Sequence, residues 1–238
     1  MQEKIVYRQE LKYLLDIRDY VRVRSMLSAV LKPDENADSE NIYHIRSLYF
    51  DDAKNTDLFS KISGLQDRKK YRLRIYNSST DLIRFEKKVK ENSGTYKRTV
   101  KISLEQAEAV IGRDFSVLRD SEDPLLREIF SYDSRHILRP SVITDYTREA
   151  FINDEGNVRI TFDSRLKTAA ANTDLFDPDL IMIPAIDPSQ IILEVKYTGF
   201  LPEFISAVLS GTNAVYLAVS KFALCRKYIT YNDWEVLV

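Results

Sequence analysis

The chain has 238 residues, with 35 Lys and Arg against 36 Asp and Glu and a formal net charge of −1. That balance gives no global basic field for nucleic acid or a membrane surface, so any anion site must come from local sorting of charge. The one cysteine, Cys225, excludes a disulfide framework and fits a reducing, cytoplasmic setting, and no run of apolar residues is long enough to predict a transmembrane segment.

A first strand is expected at about 4–14, followed by a helix at about 16–31 with Val21, Val23, Leu27, Val30 and Leu31 on its apolar stripe. Pro33 ends the helix, and 34–41 reads as a loop. A strand at 42–50 runs into Asp51-Asp52, and a short helix at 53–63 closes at Gly64. Strands at 70–76 and 82–90 flank a turn at 77–81 and form a hairpin; a second turn at 92–94 leads to a strand at 95–102. Ser103 with Gln106 three residues on predicts a capping box and a helix to about 111, with another at 122–137. Strands follow at 141–152 and 157–163, then a loop-like stretch at 164–188, a strand at 191–197, and helices at 203–209 and 220–229. No repeat or linker interrupts the series, which predicts a single α+β domain over 1–238.

Strand side chains alternate with period two, so residues i and i+2 share a face. Arg8, Glu10 and Lys12 therefore line one face of the first strand, opposite Leu11 and Tyr13. Lys70, Arg72 and Arg74 alternate with Tyr71, Leu73 and Ile75. Arg84, Glu86, Lys88 and Lys90 oppose Ile83, Phe85 and Val89. Arg159, Thr161 and Asp163 alternate with Val158, Ile160 and Phe162, and Glu194 and Lys196 with Leu193, Val195 and Tyr197. Two readings stay open here. The charged faces lie in water, as in any amphipathic strand, or the sheet curls around a polar interior that holds a polyanion. The second explains why cations outnumber carboxylates on these faces in a chain of net charge −1.

The chemistry suits a phosphate chain. Arg grips phosphate oxygens through its fork, and Lys supplies compact point charges. Mg²⁺ or Mn²⁺ takes carboxylate and phosphate oxygens, so Glu10, Glu86 and Glu194 are the candidate metal ligands. His44 and His136 form no zinc motif, and no Walker A, GxGxxG or GxSxG string occurs. Cys225 reads as a packed helix residue.

The segments YRQELKY, IRSLYFDD, YRLRIY, FEKKVK with Lys97-Arg98, YTREAF, VRITFD, ILEVKY and SKFALC run in that order from about residue 5 to 230. The series resembles VTC-type polyphosphate polymerase domains, which belong to the triphosphate tunnel metalloenzymes, with CYTH-type phosphatases as cousins. The resemblance implies an antiparallel eight-stranded tunnel, a closed barrel with a charged interior and flanking helices. It implies transfer of the γ-phosphate of ATP to growing inorganic polyphosphate, with Mn²⁺ or Mg²⁺ as cofactor. By position it carries over Lys12, Arg72, Arg74, Lys88, Arg159 and Lys196 as the catalytic set. Arg46, Arg98, Arg148 and Lys221 are carried over as phosphate-binding residues, and Glu194 as the metal carboxylate. Alternation adds Arg8 and Lys90 to the phosphate binders and Glu10 and Glu86 to the metal candidates.

The sequence departs from the eukaryotic polymerases in lacking their SPX domain and transmembrane region; a separate membrane protein could supply the translocating role. The expected place is the cytoplasm, at the membrane only through such a partner, and nucleic acid is not an expected partner. Two rivals remain: a triphosphatase acting on tripolyphosphate or nucleoside triphosphates on the same scaffold, and a non-catalytic polyanion-binding module.

Overall fold

The computed structural model describes residues 8–35, 37, 41–91, 94–169, 172–212, 215–216 and 220–230. The beginning of the first expected strand and most of the turn at 92–94 lie outside them. Eight long strands carry the fold: β1 (Gln9–Leu15), β3 (Ile42–Asp51), β4 (Arg68–Tyr76), β5 (Ser79–Glu91), β6 (Gly94–Ile102), β7 (Arg139–Asn153), β8 (Val158–Thr168) and β10 (Ile191–Tyr197). Three two-residue strands, β2 (Lys32–Pro33), β9 (Ile183–Pro184) and β11 (Val215–Tyr216), join the same antiparallel sheet. Among the described residues six α-helices flank it: α1 (Ile17–Ser28), α2 (Thr56–Ile62), α3 (Leu104–Ile111), α4 (Pro124–His136), α5 (Glu203–Ser210) and α6 (Lys221–Thr230).

Local chemistry accounts for the joints. Asn77 and Ser78, both with positive φ (50° and 56°), make the two-residue turn between β4 and β5, the left-handed pair that matches strand twist. The turn is thus shorter than expected. Ser103 and Gln106 form the expected capping box on α3. The acidic pair after β3 caps α2: Asp51 accepts from the Asp57 and Leu58 amides, and Asp52 from those of Lys54 and Thr56. At Gly156, with φ of 71°, a Cβ would stand 2.4 Å from the Phe200 carbonyl oxygen, so the β7–β8 connection requires glycine.

The strand order is β11-β1-β10-β8-β7-β3-β4-β5-β6. The edges β1 and β6 curl toward each other and meet at one bridge, where the Arg8 amide donates to the Thr95 carbonyl at 3.2 Å. No continuous ladder closes the sheet among the described residues, so the expected closed barrel is replaced by a curled sheet with a seam. The stretch 164–188, read as a loop, contains the end of β8 and all of β9. Its charged and small residues concealed a strand that bends at Arg165, where φ is 54° and the β7–β8 register shifts.

The apolar faces of the strands turn outward, under the helices. Leu48, Phe50, Leu73 and Phe85 pack with Val110 of α3 and Ile129 of α4. Ile160, Phe162, Leu193 and Val195 pack with Leu27 of α1 and Ile205 of α5. Each such buried side chain contributes roughly 1.5–3 kcal/mol, which offsets the cost of the opposite face. One part of the interior is apolar: Phe222 and Cys225 of α6 pack with Tyr49, Tyr146 and Ile192. Cys225 is buried there, its thiol pushed up to about 12 by burial, as a packed helix residue should be. Among the described residues no helix is long and apolar enough to cross a membrane.

Candidate anion-binding site inside the curled sheet

The charged faces of the long strands converge on two adjoining cavities, of about 440 and 900 Å³. Both are lined by Arg8 and Glu10 at the seam, by Arg72 and Arg74 of β4, and by Lys88, Arg148 and Lys196. These shared residues form a waist. Lys12, Lys90, Glu194 and Lys221 line the smaller cavity alone, and Arg159 the larger.

The waist and the walls beside it form a lattice of ion pairs. The Lys12 ammonium lies 3.1 Å from Glu194 and 3.7 Å from Glu10. Lys196 approaches Glu194 at 3.1 Å, and Arg148 at 3.9 Å. Lys88 donates to both oxygens of Glu10 at 2.8 and 2.9 Å across the seam. Arg148 grips Asp163 through two bonds of 2.6 and 2.7 Å, and Lys221 pairs with the same carboxylate at 2.5 Å. Arg74 touches only hydroxyls closely, Ser47 at 3.1 Å and Tyr146 at 3.4 Å, with Glu86 at 3.9 Å. Arg159 pairs with Asp34 and donates to the Tyr43 hydroxyl at 2.7 Å.

These neighbours set the charges. Burial pushes Glu194 up, but Lys12, Lys196 and Lys88 together outweigh it and hold the carboxyl well below its usual range. Burial also raises Asp163, yet Arg148 and Lys221 keep it at about 2. For Lys88 burial and the nearby Lys12 act together and pull the ammonium down to about 8. Burial and Arg72 bring Lys97 to about 8 as well, against the pull of Glu86.

A pH dependence follows. Below pH 8 both lysines are protonated in the folded and the unfolded chain, and their burial destabilises the fold in full. Between pH 8 and the ordinary lysine value of 10.5 the folded protein sheds these protons first. The unfolded state then binds more protons, so stability rises with pH. Calorimetry of the ligand-free protein should show the melting temperature rising from pH 8 to about 9.5 while tripolyphosphate affinity falls. A melting temperature and an affinity that decline together would contradict this assignment.

Two expected positions, Arg46 and Glu86, are corrected, and a third, Arg98, in part. Arg46 lies on the outer face with Leu48 and Phe50, bound to Asp145 at 2.9 Å and to the Asp177 carbonyl at 2.7 Å. Arg98 sends its guanidinium to Glu128 of α4 at 2.9 Å, on the face of β6 that carries Val100, while part of the residue still lines the larger cavity. The inward residue of that pair is Lys97, 2.6 Å from Glu86. Its signal was the alternation with Thr95 and Thr99, opposite Val100 and Ile102. Glu86 is fully buried, with one oxygen 2.6 Å from Arg72 and the other 2.6 Å from Lys97. It is a counter-ion beneath the arginines and offers no open oxygen to a metal. Sequence reasoning put Asp163 on the polar face of its strand without giving it a role, and passed over Tyr49, whose hydroxyl accepts from Arg72 at 2.7 Å.

The donor set can be tested against a divalent ion. Among the described residues no three acidic, His or Cys groups converge. Glu10 and Glu194 nevertheless flank one ammonium, that of Lys12. Two carboxylates completed by phosphate oxygens suit a hard cation such as Mg²⁺ or Mn²⁺; both Glu10 oxygens accept from Lys88 and Glu194 pairs with Lys12 and Lys196, so the residues fit a metal that arrives with phosphate and displaces these ammonium groups.

The VTC-domain family model matches residues 7–230. The chain belongs to the VTC-domain family. The fold of this VTC domain is also that of solved structures with little sequence in common. A Hippeastrum protein, HpAC1, described as a candidate adenylyl cyclase with a dominant triphosphatase activity, shares 16% identity at a TM-score of 0.59. The match covers 93% of this chain and 96% of that one. A candidate adenylate cyclase from Bacillus halodurans shares 12% identity at a TM-score of 0.51, covering 87% and 88%. These likenesses show a shared fold. No curated protein sequence matches the chain.

Proposed function

We propose that this VTC domain transfers the terminal phosphoryl group of ATP to a growing inorganic polyphosphate inside the curled sheet, which serves as its tunnel. The observation that supports this most is the surplus of positive charge at the waist. Glu10, Glu86, Asp163 and Glu194 are each already matched by cations, yet Arg74 and Arg8 still face the shared space. A bound polyanion offsets that surplus.

Lys12, Arg72, Arg74, Lys88, Arg159 and Lys196 would neutralise charge spread over the equatorial oxygens of the transferred group. Arg8, Lys90, Arg148 and Lys221 would hold donor and product along the bore. Glu194, with Glu10, would hold Mn²⁺ or Mg²⁺, which supplies Lewis-acid neutralisation when bound. The acceptor is a phosphate oxygen, itself a nucleophile, so no activated Ser or Cys is needed. A cytoplasmic domain of this kind calls for a membrane partner only to carry the product away.

The triphosphatase activity described for the Hippeastrum protein supports a second reading. There, water takes the place of the phosphate acceptor in the same bore. Incubation with ATP and Mn²⁺ separates the two: a polymerase yields ADP and a product that lengthens with time on a gel, a hydrolase ADP with free phosphate, or AMP with pyrophosphate, and no polymer. Under the polymerase reading, Lys221→Ala should shorten the product several-fold while ATP affinity changes by less than about threefold, because Arg148 still holds Asp163. Phosphate release alone, indifferent to Lys221, would decide for the hydrolase.

A further inference from the structure

Lys70 stands apart from the other cations of the bore. It shares the inward face of β4 with Arg72 and Arg74 and lines the smaller cavity. Among the described residues, however, its Nζ is buried with no hydrogen-bond partner. The nitrogen rests 3.8 Å from the centre of the Phe222 ring of α6. Charged groups reach it from each neighbouring element: Asp57 and Lys61 of α2, Asp51 at the end of β3 and Arg68 on its own strand. Lys88 lies opposite it on β5, and α6 adds Lys221, already paired with Asp163. Asp57 is itself buried; burial and the Asp51 carboxylate raise its carboxyl, outweighing Lys70, so it is a poor counter-ion. Burial pulls the Lys70 amine down to about 7 against the pull of Asp57, and Arg68 and Lys61 push it the same way as burial. An ammonium so placed sheds its proton near neutral pH.

We propose that Lys70 is a proton-linked ligand held in reserve: a phosphate chain entering the smaller cavity draws the amine off the Phe222 ring, and the amine takes up one proton as it joins the chain. The lone pair on Nζ accepts that proton from solvent. Asp57 does not supply it, because the same polyanion disfavours an ionised carboxylate beside it. The inference rests on the phosphate-binding reading above and adds a linkage to it. Protons and phosphate bind cooperatively, each raising the affinity for the other, so the bore holds its polyanion more tightly as pH falls through neutrality.

Titration calorimetry of the full chain with long-chain inorganic polyphosphate, repeated in buffers of different ionisation enthalpy, counts the protons taken up. The internal phosphates of such a chain are strong acids, so near neutral pH those protons go to the protein. At about pH 7.5 wild type should take up at least about half a proton more per bound domain than Lys70→Met. Lys70→Met should also bind several-fold more weakly, having lost one charge-assisted contact. Lys70→Arg, whose guanidinium keeps its proton, should bind like wild type without the extra uptake. Equal uptake in wild type and Lys70→Met would overturn the assignment and leave the phosphate site standing. Wild-type protein that binds no polyphosphate would sink the phosphate reading and the proposal with it. A measurement on wild type alone covers a Lys70→Met chain that does not fold. The Cε resonance of Lys70 should titrate near neutral pH in the free protein and keep its ammonium position there once polyphosphate is bound. Titration at the ordinary lysine value in the free protein, or no change on binding, overturns the inference.

Discussion

Glu194→Gln is expected to lower turnover by about a hundredfold or more. The substitution keeps the shape of the side chain and removes the charge that a hard cation needs. Losing about 3 kcal/mol of stabilisation for the transferred group corresponds to two orders of magnitude in rate. The fold should weaken but survive, by roughly 1–3 kcal/mol, because Lys12 keeps Glu10 while Lys196 loses its close carboxylate. Two measurements check this: rate against Mn²⁺ concentration, and Mn²⁺ binding by calorimetry with tripolyphosphate present. An unchanged midpoint and rate in the Gln variant would remove Glu194 from the metal site.

Arg72→Ala and Arg74→Ala should both weaken triphosphate binding, each by about tenfold to a hundredfold, the range for a desolvated charge-assisted pair of roughly 1.5–3 kcal/mol. Their effects on stability should diverge. Arg72 holds the buried Glu86 carboxylate at 2.6 Å, so its loss should cost roughly 1–3 kcal/mol even though Lys97 stays. Arg74 has hydroxyls as its near partners and adds repulsion to Arg72. Removing it should leave the melting temperature of the ligand-free protein unchanged or higher. Denaturant melts of both variants, beside triphosphate titrations, decide the point. Equal destabilisation with intact affinity would make Arg74 a scaffold residue.

What could be read from the residues divides along a physical line. The period-two rows of charge depend only on neighbours in sequence, and they located Arg8, Glu10, Lys12, Arg72, Arg74, Lys88, Lys90, Arg159, Glu194 and Lys196 around the cavities. Arg46 and Arg98 were placed by resemblance, against their own alternation: Leu48 and Phe50 share the face of Arg46, and Val100 and Ile102 that of Arg98. Arg148 was the reverse case, an arginine among Val142, Tyr146 and Ala150 whose face proved to be the interior one. Apolar company misled there because α6 packs against that part of the interior, a contact between distant segments. The seam was equally unreadable, since whether β1 and β6 pair depends on curvature accumulated over the whole sheet.

The pairing of β1 with β10 sets Gln9 against Tyr197 and Lys12 against Glu194. During synthesis the first strand therefore waits for nearly the whole domain before its long neighbour exists. Such distant pairing forms late, after the loop-closure entropy has been met. Lys12 and Glu194 thus come together only when the last long strand docks. Affinity for a polyanion should appear all at once in a folding experiment, and a fragment that stops short of β10 should have none of it.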